Sequence, residues 1–82
     1  MDTAAQAATR FGQQLRGFMS QMKRKDANFA VIEQGLETLR SEVSAFANSG
    51  NTGDLFDEFE ELEMVVTEAY ALASAENLEG YL

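Results

Sequence analysis

Cysteine, histidine, proline and tryptophan are all absent from this 82-residue sequence. Without cysteine there is no disulfide framework and no thiolate metal site. Without histidine the commonest general base and the commonest zinc ligand are both missing. With no proline, and with glycine sparse outside the segment Asn48-Ser49-Gly50-Asn51-Thr52-Gly53, little breaks a helix. No apolar run approaches the roughly 20 residues of a membrane span. The N-terminal Met1-Asp2-Thr3-Ala4-Ala5 lacks the basic stretch and apolar block of a signal peptide. The expected location is therefore cytoplasmic, or the virion if the protein is phage-derived, with no membrane partner.

What is present is apolar and acidic. Hydrophobic residues make up 45% of the chain, too many for a disordered tail, and the net charge is −8. The charge is unevenly placed. Residues 1–50 hold all six basic residues (Arg10, Arg16, Lys23, Arg24, Lys25 and Arg40) against five acids, a balance of +1. Residues 51–82 hold nine acids and no base, a balance of −9. A solvated acidic helix face, with complementarity between the two halves, accounts for this asymmetry.

Apolar residues before the Asn/Gly segment recur at alternating steps of four and three: Ala4, Ala8, Phe11, Leu15, Phe18, Met22, then Phe29, Ile32, Leu36, Leu39, Val43 and Phe46. The one exception is Lys25, where an apolar residue is due. Such a heptad repeat predicts one long helix over about 3–48, roughly 70 Å at 1.5 Å per residue. The run Lys23-Arg24-Lys25-Asp26 argues the other way, since cations suit a helix C-terminus and Asp an N-cap. A break near 24–27 would give a monomeric three-helix bundle. After the turn at 48–53, Asp54 suits an N-cap with Asp57 in the capping-box position. A second helix is expected over about 54–77, with a frayed acidic tail at 78–82.

The second helix has its own seam: Leu55, Phe59, Leu62, Val66, Ala69 and Ala73, with Glu76 next. Folded antiparallel, the seams pair Phe46 with Leu55 and Val43 with Phe59. They bring the two charged violations, Lys25 and Glu76, opposite each other as a register pair. The expected fold is a single all-α domain over 1–82, a helical hairpin that dimerises into a bundle. In that hairpin Phe11, Leu15, Phe18 and Met22 protrude uncovered and form the self-association surface. Phe56, Val65, Tyr70 and Leu72 widen the stripe of the second helix beyond one seam, so it also wants a second neighbour.

No catalytic, cofactor-binding or metal residues emerge. The cluster Asp54, Asp57, Glu58, Glu60, Glu61, Glu63 and Glu68 could in principle supply an acid and a base, but bundle metal sites pair Glu with His. The turn has a calcium-loop composition and the wrong register. With Gly53 at the invariant glycine, Phe59 falls where a bidentate Glu is required. Direct nucleic-acid binding is not expected at a pI near 4.2. The tail Glu76-Asn77-Leu78-Glu79-Gly80-Tyr81-Leu82 loosely resembles the short C-terminal peptides by which some phage proteins grip a sliding clamp, or is simply a last apolar turn. These features point to a non-enzymatic adaptor or structural protein. It would self-associate, as a homodimer, and present Asp57, Glu60, Glu61 and Glu63 to a protein partner. The alternative is a small regulator of a nucleic-acid-handling protein, acting through the acidic helix or the tail.

Overall fold

The computed structural model describes residues 3–79 as three helices: α1 (Ala4–Met22), α2 (Phe29–Ala47) and α3 (Phe56–Glu79), the last entered through a 3-10 turn at Gly53–Leu55. No strand occurs among the described residues. The chain runs up, down and up, within extents of 45 × 18 × 17 Å. The single helix over 3–48 is thus overturned, and the three-helix arrangement fits. Residues 80–82 of the expected tail lie outside the described residues, while Leu78 and Glu79 are helical.

α1 starts on a reciprocal cap. The Gln6 N–H donates to Thr3 Oγ1 at 3.2 Å, and the Thr3 N–H donates to Gln6 Oε1 at 3.0 Å. The helix ends without glycine. The Lys23 and Arg24 N–H groups turn onto the Ser20 and Gln21 carbonyls, both at 3.2 Å, and the Ala27 N–H reaches the Arg24 carbonyl at 3.3 Å. Asn28 then caps α2, its Oδ1 accepting from the Val31 N–H at 3.3 Å. Asp26 is not the cap; it forms an exposed ion pair with Arg24 at 3.2 Å. The reversal wins over a straight helix because it buries Phe11 and Leu15 against the other two helices. Each such burial is worth about 1.5–3 kcal/mol. A few exposed helical hydrogen bonds, at roughly 0.5–1.5 kcal/mol each, do not match that gain.

One phenylalanine from each helix meets at one end of the bundle. Phe46 and Phe59 stack with centroids 4.9 Å apart, and Phe11 meets them edge-on at 6.2 and 6.4 Å. Phe59 thus packs on Phe46, and Val43 is fully buried in the same core. Farther along, the Phe18 ring lies on Gly35: a Cβ there would sit 2.5 Å from two ring atoms. That glycine opens room for a ring in the middle of α2.

In the second turn the two residues with positive φ are both glycine, Gly50 at 81° and Gly53 at 55°. A residue with a Cβ would lose about 1–2 kcal/mol there. Asp54 lies inside the 3-10 turn, which extends the helix backwards, so it does not serve as the N-cap.

Candidate functional site

The contacts between α2 and α3 leave one face of α3 outward. Asn77 Nδ2 donates to Glu33 Oε2 at 3.0 Å across the α2–α3 interface, and the Arg40 guanidinium lies over the Tyr70 ring at 5.3 Å. With Phe59, Val66, Ala69 and Ala73 buried inward, the opposite side of α3 faces solvent. Met64, Ala71 and Leu78 recur there at close to two-turn spacing. Met64 is 58% exposed and Leu78 64%. Around Met64, the acids Asp57, Glu60, Glu61, Glu63 and Glu68 line a shallow open hollow.

None of these five carboxylates forms an ion pair among the described residues. The only ion pair between described residues, Arg24 with Asp26, lies in the first turn. Among the described residues, no ion pair joins Arg16, Lys23 or Arg24 to α3. Asp57 with Glu60 and Glu61, and Glu60 with Glu63, are like charges three or four residues apart. Such pairs each cost a few tenths of a kcal/mol on a helix. Asp57 and Glu58 recover part of this at the positive end of the α3 dipole.

The other expected residues are placed differently. Phe11 and Leu15 are core residues of a single chain, exposed by only 2% and 6%. Phe18 and Met22 are half-buried against the same core. Lys25 lies in the exposed turn and Glu76 is exposed on α3, and no ion pair joins them. The α2–α3 register carries the Glu33–Asn77 hydrogen bond instead. Sequence reasoning passed over Met64 and Gly35. Met64 stands outside the heptad seam, and its spacing from Ala71 and Leu78 was the available signal.

Among the described residues, no group of three or more carboxylates is placed to hold a metal ion. No helix among them is long and apolar enough to cross a membrane. Comparisons with protein-family models, with curated proteins and with solved structures find no match to this chain.

Proposed function

We propose that the protein is a small helical interaction module, and that the outer face of α3 receives a basic amphipathic segment of a partner protein. The observation that carries this is the hollow around Met64, whose five carboxylates form no ion pair among the described residues. An apolar stripe flanked by acids suits a helix with apolar residues on one side and Lys or Arg on its edges. Partner cations would relieve the repulsion among Asp57, Glu60, Glu61 and Glu63. The same repulsion opposes pairing of two α3 faces with each other, so this surface favours a different protein. Nucleic-acid-handling proteins carry basic surfaces of this kind, and the regulator reading corresponds to a partner of that class.

The test is a titration with a Lys/Leu amphipathic peptide, followed by fluorescence anisotropy at two salt concentrations. The charge reversal Glu60→Lys with Glu61→Lys should weaken binding at least about tenfold, or 1.4 kcal/mol. Glu37→Lys with Glu42→Lys makes the same change in net charge on the exposed face of α2, and should weaken it much less. Equal losses in the two variants would mean that overall charge alone attracts the peptide, and the proposed face would be wrong.

A further inference from the structure

The turn between α1 and α2 has an unusual property: its sequence continues the helical repeat that its backbone interrupts. Met22, Lys25 and Phe29 keep the steps of three and four that run through both helices. Residues 23–28 contain neither glycine nor proline, and no non-glycine residue among those described has a positive φ. Lys23 is already in the right-handed helical region, at φ −85° and ψ −9°, whereas Asn28 is extended, at φ −99° and ψ 92°. The bonds that hold the turn run to carbonyls three residues back, and straightening would move them to the carbonyl four back. Its one ion pair, Arg24 with Asp26, joins side chains that are 67% and 75% exposed. Pairs so exposed add little.

We propose that residues 23–28 are a hinge, and that the groove on α2 and α3 filled by α1 also accepts α1 of a second copy. With the hinge helical, residues 4–47 form one rod of about 66 Å, longer than the 45 Å extent of the folded chain. Two such rods, paired antiparallel about a two-fold axis, set each α1 on the partner's α2 in the sense seen within one chain. Phe11 and Leu15 then occupy the same sites, so the exchanged dimer keeps the core and loses only the two turns. The occupant is a second copy because the groove is already shaped by this α1, down to the bare Gly35 beneath the Phe18 ring. The idea is independent of what binds the outer face of α3.

Lys25 sets the balance between the two states. In the dimer the two hinges meet at the axis, and each Lys25 occupies a seam position near its counterpart. Lys23 and Arg24 add to that convergence of positive charge. Repulsion there opposes exchange, and salt weakens it.

The experiment compares the wild-type protein with Lys25→Leu, which completes the repeat at an exposed site. Sedimentation equilibrium should show Lys25→Leu dimerising at least about tenfold more tightly, or 1.4 kcal/mol. Spin labels on Gln13→Cys and Ser41→Cys, in a Lys25→Leu background diluted with unlabelled protein, report the distance within one chain. That distance should lengthen to about 42 Å in the dimer, the length of 28 helical residues. Inserting Gly-Ser-Gly after Asp26 should return the protein to monomer. A Lys25→Leu protein with wild-type mass at every concentration would overturn the proposal, as would a dimer that keeps the short in-chain distance or one that survives the insertion.

Discussion

Replacing Phe59 with alanine should remove most of the protein's stability. Phe59 is fully buried and is the ring shared by the stacked contact with Phe46 and the edge contact with Phe11. Truncating a buried Phe costs about 3–5 kcal/mol. A domain of this size has roughly 5–15 kcal/mol in all and sits at the low end for lack of surface to bury. All three helices lose packing at once, so neighbours cannot easily collapse into the space. Thermal unfolding followed by circular dichroism should show the midpoint lowered by about 12–40 °C. Phe56→Ala is the comparison: Phe56 is the adjacent aromatic side of α3 but 45% exposed, and its loss should move the midpoint by only a few degrees. Equal shifts for the two would contradict the placement of the core.

Phe11→Asp should separate the helices unequally. The residue is 2% exposed and contacts Phe46 and Phe59, while the Arg10 guanidinium lies over its ring at 4.6 Å. Removing a carboxylate from water beside the Phe46 and Phe59 rings costs several kcal/mol, which the neighbouring Arg10 offsets only in part, and the ring is lost as well. The chain can avoid that by releasing α1, whose buried residues are only Ala7, Phe11 and Leu15. α2 and α3 would keep Leu36, Leu39, Val43, Val66 and Ala73 between them. Amide hydrogen exchange should show protection lost throughout α1 and lowered but still measurable in α2 and α3. Uniform loss in all three helices would mean that the hairpin does not stand without α1.

The heptad steps identified much of the core in advance. Spacing places Ile32, Leu36, Leu39, Val43, Phe59, Val66, Ala69 and Ala73 inward and all are buried, whereas Phe11 and Leu15, expected on an uncovered stripe, are buried in the single chain as well. Spacing says which side of a helix is apolar; it does not say which helix covers it, and the path of the chain hung on one position. Lys25 breaks the repeat where the turn occurs, but a single polar residue at a seam also suits a continuous coiled coil. The cap was misplaced as well: by sequence Asp26 is taken as the N-cap, whereas Asn28, directly before Phe29, serves. Gly35 was passed over, although it carried a signal. A glycine inside a helix costs up to about 1 kcal/mol relative to alanine, so one there marks a close approach, though not the ring that makes it. The acids of α3 were readable as a solvated face. That they form no ion pair among the described residues was not, because it depends on where the first turn sends its basic residues.

The placement of those basic residues has a consequence for cleavage by trypsin, which cuts after Lys and Arg. Five of the six lie at or before Lys25, three of them consecutively in the exposed first turn, and α3 has none. Within α2 and α3 the sole remaining site is Arg40, whose guanidinium lies over Tyr70. Brief digestion should therefore release a fragment beginning near Asp26 that contains both later helices. If the first turn becomes helical, the same three peptide bonds become resistant, so the rate of the first cut reads the state of that turn directly.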